Sequence, residues 1–175
     1  MDFVKLSKST HQSFARSLYT SSFPPEERRE FSQIPDLHLY KPFTFYVIEQ
    51  SQQPFAIMAL WTFASFSYIE HLAVANEQRN RGIGTKIISN LKSQRPNPLV
   101  LEVELPLTET ALRRIKFYER LGFILLNDNY LQPPYSINKQ AVEMRLMVSD
   151  PNLLNICDTK SIIQILHTQV YNIQI

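Results

Sequence analysis

Arg79-Asn80-Arg81-Gly82-Ile83-Gly84 lies between a strand-like run, Tyr68 to Val74, and a helix-like run, Gly84 to Lys92, in which Ile87, Ile88 and Leu91 fall on one side. Only one other glycine, Gly122, occurs in the 175 residues; average usage of ~7% would give about a dozen. A chain this sparing with glycine is expected to place each one where a side chain does not fit. Between a strand and a helix, glycine lets backbone N–H groups approach a ligand, and the free amides and dipole of a helix N-terminus attract phosphate. Arg79 and Arg81 add positive charge at the same place. The chemistry expected of Arg79 to Thr85 is a pyrophosphate cradle; a plain strand-to-helix turn is the blander alternative. A P-loop would need a Lys-Ser/Thr ending that is absent. A Rossmann turn would need a third glycine, where Gly84 is followed by Thr85, Lys86 and Ile87.

Outward from this segment, aromatic and β-branched runs predict strands at Phe3 to Leu6, Phe43 to Glu49, Pro54 to Phe63, Phe66 to Val74, Leu99 to Leu105, Phe123 to Leu126 and Val142 to Val148. Helical spacing predicts helices over Thr10 to Tyr19, Gly84 to Lys92, Glu109 to Leu121 and Thr159 to Tyr171. Pro24-Pro25-Glu26-Glu27-Arg28-Arg29 reads as a further helix start, because proline suits the first turn and acidic residues complement the dipole there. Tyr130-Leu131-Gln132-Pro133-Pro134-Tyr135 reads as a proline-stiffened loop. Strands and helices alternate only in part, so the class is mixed α/β. The length fits one domain, residues 1–175.

Two landmarks in order carry a resemblance. Arg79 to Gly84 matches the (Gln/Arg)-x-x-Gly-x-(Gly/Ala) signature of the GNAT acetyltransferases, preceded by Leu72-Ala73-Val74, which resembles that family's strand before the cofactor loop. Phe117-Tyr118-Glu119-Arg120-Leu121-Gly122-Phe123 resembles the family's second landmark, and read by itself it is a helix stopped by Gly122 at the C′ position. The likeness is strong from about Tyr68 to Phe123. It implies the GNAT fold: a mostly antiparallel mixed sheet of six to seven strands flanked by helices, with the fourth and fifth strands splayed. It also implies acetyl-CoA as cosubstrate, its pantetheine against Leu72, Ala73 and Val74 and its pyrophosphate on Arg79, Asn80, Arg81, Gly82, Ile83, Gly84 and Thr85.

The implied reaction is direct attack of a primary amine on the thioester in a ternary complex. An alkylamine of pKa near 10.4 is mostly protonated at pH 7, a cost of roughly 4–5 kcal/mol that a general base offsets. Glu70 stands where several relatives carry a His or Glu base, with strand alternation setting Tyr68, Glu70 and Leu72 on one face. His71 is then expected on the opposite face as a structural histidine. Tyr118 stands at the family's general-acid position, poised to protonate the leaving thiolate. The family's Asn before this Tyr has no counterpart in Thr108-Glu109-Thr110-Ala111-Leu112.

Glu102 and Glu104 alternate onto one face and, with Glu70, suggest an acidic pocket for a cationic amine; Tyr130 and Tyr135 are candidate walls of that pocket. The acceptor is expected to be a small molecule. The competing readings are a non-catalytic acyl-CoA sensor and an acetyltransferase acting on protein amines. A net charge of +2 is too small to argue for nucleic acid or an anionic membrane by bulk field, and zinc spacing is missing from the scattered His11, His38, His71 and His167. The single cysteine, Cys157, and the absence of a signal-like start suggest the cytoplasm. The apolar final stretch, Thr159 to Ile175, is expected to pack on the domain or to form a homodimer contact.

Overall fold

The computed structural model describes residues 1–171. Asn172 to Ile175, the end of the apolar final stretch, lie outside the described residues. A single mixed sheet runs β1 (Asp2–Lys5), β2 (Phe43–Gln50), β3 (Gln53–Thr62), β4 (Ser67–Val74), β5 (Leu99–Glu104), β8 (Val142–Val148), with β6 (Ile124–Leu125) and β7 (Tyr130–Gln132) both pairing with β8. All neighbours are antiparallel except β4 and β5. The five helices are α1 (Gln12–Ser22), α2 (Ile34–Leu37, one turn), α3 (Ile83–Gln94), α4 (Glu109–Glu119) and α5 (Thr159–Leu166).

The helices cover the two faces of the sheet. α1, α2 and α5 bury Ala15, Leu18, Tyr19, Ile34, Leu37, Ile162 and Leu166 against one face. α3 and α4 bury Ile87, Ile88, Leu91, Ile115 and Tyr118 against the other. β3 lies between these layers. Its residues alternate between Ile57, Ala59 and Trp61 on the first face and Ala56, Met58 and Leu60 on the second. That double burial explains the greasiest run of the sequence, since a large apolar side chain gains about 1.5–3 kcal/mol on full burial. No helix among the described residues is long and apolar enough to cross a membrane.

Three expectations are corrected. The Pro24 to Arg29 segment is a single 3-10 turn, Pro25–Glu27, rather than a helix start. Arg28 is extended, and Arg29 turns into the core, where it is 2% exposed and its backbone N–H donates to Tyr19 Oη at 3.1 Å. Tyr130 to Gln132 form β7 rather than a loop, so the sheet has eight strands; Pro133 and Pro134, which carry no N–H, follow its last residue. The final helix stops at Leu166 and continues to Tyr171 as a wider π-type turn. Ile162, Leu166, Val170 and Tyr171 pack on their own domain.

Candidate active site

β4 and β5 pair only through Ser67–Leu99, Tyr68–Val100 and Ile69–Leu101. Beyond Ile69 and Leu101 the two strands part. Both continue, β4 to Val74 and β5 to Glu104, because β3 and β8 hold their outer edges. The facing backbone groups are therefore left without a ladder, and a cleft of about 850 Å³ opens there. It runs from Arg79, Asn80, Gly82, Ile83, Gly84 and Thr85 past Leu72, Ala73 and Val74 to Glu70, Glu102 and Tyr118, while Arg81 is exposed and does not line it.

At one end, Asn80 (φ 61°) and Gly82 (φ 72°) both take left-handed backbone, which curls the chain into the start of α3. Gly82 is the N-cap, and no side chain caps the helix. A Cβ added at Gly82 would meet nothing within 4 Å. The cradle is thus open space bounded by uncapped amides, the form that suits a phosphate. Arg79 is tied back to β4, its Nε donating to the Val74 carbonyl at 2.9 Å. Gly84 has a different reason to be small. A Cβ there would stand 3.1 Å from Phe117 Cζ, so α3 meets α4 closely at this point. Gly122 (φ 81°) ends α4 as expected: Phe123 N bonds to Tyr118 O and Gly122 N to Glu119 O, the Schellman pattern.

Glu70 occupies a β-bulge. β3 pairs Ala59 with His71 and Leu60 with Ile69, leaving Glu70 without a partner. The extra residue reverses the alternation. Glu70 and His71 therefore share the face of Tyr19, Trp61 and Tyr135, while Leu72 turns to the α3–α4 side; the expected opposition of Glu70 and His71 does not hold. The Glu70 side chain is 1% exposed with both oxygens engaged, Oε1 by Arg29 Nε at 3.2 Å and Oε2 by Trp61 Nε1 at 2.7 Å. Arg29 also donates to the Val170 carbonyl and lies 4.9 Å over the Tyr135 ring. Burial holds the His71 imidazole below its usual range, and Nε2 donates to the Glu27 carbonyl at 2.9 Å.

Glu102 is the first β5 residue past the last β4 pair. Tyr130 Oη donates to its carboxylate, and Tyr171 Oη lies 2.9 and 2.8 Å from the two oxygens. Tyr68 Oη stands 3.0 Å from Tyr171 Oη. Burial pushes this carboxyl up to about 7, against the hydrogen bonds from Tyr130, Tyr171 and Tyr68 that favour its ionised form; the Glu70 charge adds to the rise. Glu104 pairs with Arg114 of α4. Glu27 is raised by burial and then by the nearby Glu104 charge. Tyr118, 9% exposed, makes no hydrogen bond among the described residues, and burial pushes its hydroxyl up to about 12.

The cleft thus brings together the expected cradle, Leu72 to Val74, Glu70, Glu102 and Tyr118. Tyr130 stands behind Glu102, and Tyr135 packs between His71, Arg29 and Tyr171, so neither is a cleft wall. Cleft residues that escaped the sequence reading include Gln78 and four cations, Arg113, Arg114, Lys116 and Arg120. Arg113, Lys116 and Arg120 recur at helical spacing along α4 and its C-cap, a pattern that marks one face and was legible. Arg29 and Tyr171 gave no signal, because their contacts join segments remote in sequence.

Residues 41–125 match the family described as the acetyltransferase (GNAT) domain. A solved structure assigned as an acetyltransferase from the GNAT family of Bacteroides thetaiotaomicron is 35% identical, covers 99% of this chain and 100% of its own, and superposes with a TM-score of 0.90. The Bacillus subtilis (strain 168) protein YjbC, assigned as an acetyltransferase, is 36% identical over 70 residues; the match covers 38% of this chain and spans 35% of that relative's length. An aminoglycoside 6'-N-acetyltransferase complexed with coenzyme A shares the fold at a TM-score of 0.59 and 13% identity, over 85% of this chain and 96% of that one.

Proposed function

This chain belongs to the GNAT acetyltransferase family and is an acyltransferase, and we propose that it moves an acetyl group from acetyl-CoA to the primary amine of a small cationic acceptor. The observation that carries this reading is the parted β4–β5 pair, with an uncapped glycine cradle at one end of the cleft and Tyr118 and Glu102 at the other. The residues fit the cosubstrate. The amides from Asn80 to Thr85 would hold the pyrophosphate, the free edge at Leu72 to Val74 would hold the pantetheine arm, and Arg113, Lys116 and Arg120 add positive charge along the α4 wall. When bound, acetyl-CoA supplies a thioester carbonyl.

What the chain's own residues do follows from their surroundings. The Tyr118 hydroxyl, raised by burial, stays protonated through neutral pH and can donate a proton to a departing sulfur. Glu102 lines this end of the cleft, and Glu104 and Glu27 stand close enough together for their charges to interact, with Arg114 offsetting them in part. That balance favours a cation over an anion. The end of α1, Ser22 and Phe23, walls the same end of the cleft, which suits a compact amine.

The test is product formation from acetyl-CoA and a panel of amines (polyamines, arylalkylamines, amino acids and N-terminal peptides), read by mass spectrometry. A small cationic amine is expected to be acetylated fastest. Acetyl-CoA binding with no product on any amine would instead make the chain a sensor, and preference for the peptides would make it a protein acetyltransferase. In the same assay Tyr118→Phe is expected to lower kcat by about 10²-fold with acetyl-CoA affinity within about twofold of wild type. A variant with full kcat would remove Tyr118 from the proton inventory.

A further inference from the structure

We propose that Glu102 takes the proton from the acceptor amine, and that Tyr171 and Tyr130 are the positioning residues that hold its carboxylate for that task. This rests on the acetyl-transfer reading above and goes beyond it, because it assigns the base and gives a role to a residue near the far end of the described chain.

Three observations converge on Glu102. The first is place. Glu102 follows Leu101, the last β5 residue paired with β4, so it stands where the strands part, in the same cleft as Tyr118. The second is company. Two other carboxylates of this region are matched by cations, Glu70 by buried Arg29 and Glu104 by Arg114, and Glu27 is not among the residues that line the cleft. Each of these carboxylates therefore already has a cation to neutralise it. Glu102 has no cationic partner among the described residues; its partners are the neutral hydroxyls of Tyr130 and Tyr171, the latter backed by Tyr68. Neutral donors orient a carboxylate and favour its ionised form without adding a positive charge, and each phenol is itself raised by burial, so the cage stays protonated. The third is balance. Burial and the Glu70 charge raise the carboxyl, the tyrosines lower it, and the outcome near neutrality is where a general base works best. Glu70 then serves as the anchor for Arg29 and Trp61 rather than as the base.

The proton inventory closes. The acceptor ammonium gives one proton to Glu102. The freed nitrogen forms its bond to the acetyl carbon as the carbon–sulfur bond breaks, and the leaving sulfur takes a proton from Tyr118. The second nitrogen proton restores Tyr118. One proton in total leaves for solvent when Glu102 ionises again.

The sign of the pH dependence follows. The working form is the carboxylate, so kcat/KM falls as pH drops through about 7. Removing a donor from the ionised form raises the carboxyl further, so Tyr171→Phe moves this acidic limb to higher pH. A merely structural role for Tyr171 would lower the amplitude and leave the limb in place.

The experiment is the profile of kcat/KM from about pH 5.5 to 9 for wild type, Glu102→Gln, Tyr171→Phe and Glu70→Gln. It uses the panel amine that wild type acetylates fastest and checks each variant for fold and acetyl-CoA binding. Glu102→Gln is expected to lose about 10²- to 10³-fold at neutral pH together with the acidic limb, while Glu70→Gln keeps the limb. A folded Glu102→Gln variant with wild-type rate and limb, or a limb lost in Glu70→Gln alone, overturns the assignment. A wild-type enzyme that acetylates no amine overturns the acetyl-transfer reading, and the base falls with it. Titration of the carbon-13-labelled Glu102 carboxyl in the unliganded protein reports independently of turnover. A midpoint near 7 that rises in Tyr171→Phe supports the cage, and a midpoint in the ordinary carboxylate range overturns it.

Discussion

Gly82→Val is expected to raise the dissociation constant for acetyl-CoA at least about 100-fold while leaving a folded protein. Two effects act together. The valine methyls enter space that no protein atom occupies within 4 Å, the space assigned to the pyrophosphate. The φ of 72° is also strained for a β-branched residue, by roughly 1–2 kcal/mol, and relaxing it would turn the α3 amides away. Thermal unfolding reads both effects. Wild type at 100 times its dissociation constant should gain about 2.7 kcal/mol, or roughly 5–10 °C, and Gly82→Val should gain almost nothing. Gly84→Ala is the contrast. Its Cβ would stand 3.1 Å from Phe117 Cζ, so its effect falls on the α3–α4 packing of the unliganded protein. Wild-type affinity in Gly82→Val would remove the cradle as the phosphate site.

Arg29→Ala is expected to give the largest loss of stability of any substitution in the site. Glu70 would be left with a buried charge at 1% exposure, and Val170 and Tyr135 would lose their partner in the same step. Breaking a buried ion pair costs about 3–5 kcal/mol, which at this chain length lowers Tm by roughly 10–15 °C. The double variant Arg29→Met with Glu70→Leu removes both charges and should recover most of that loss, because the uncompensated charge is what costs stability. A drop of only a few degrees in Arg29→Ala would mean that water reaches Glu70.

The glycine segment and the α4 terminus were legible because Gly82 and Gly122 act within a few residues of their own positions, whereas the reason for Gly84, its approach to Phe117 of α4, is not local. The strands were legible for the same reason, since β3 carries its double burial in its own composition. The bulge at Glu70 was not. Period-two alternation assumes an unbroken ladder, and one unpaired residue moved His71 onto the face of Glu70. β7 was obscured by the two prolines that follow it, although Tyr130, Leu131 and Gln132 pair in register with β8. The pocket carboxylates could be seen as charges, but not sorted. What separates Glu70 from Glu102 is Arg29 for one and Tyr171 for the other, contacts 41 and 69 residues apart in the chain.

The Arg29 contact with the Val170 carbonyl spans 141 residues, and Tyr171 closes on Glu102 from the same segment. The segment around Arg29 and the last described segment therefore meet beside Glu70 and Glu102, whereas the cradle is built within Val74 to Thr85. Loops this long close late in folding, after local elements have formed. The phosphate-binding half should thus acquire its shape first, and the tyrosine cage last. In the finished protein the order runs in reverse: the 159–171 segment is the natural first unit to detach in partial opening. Hydrogen exchange should show its amides, and the Arg29 amide bonded to Tyr19, losing protection together, ahead of β3 and β4. An enzyme near that first opening would still bind acetyl-CoA but would have no oriented base with which to use it.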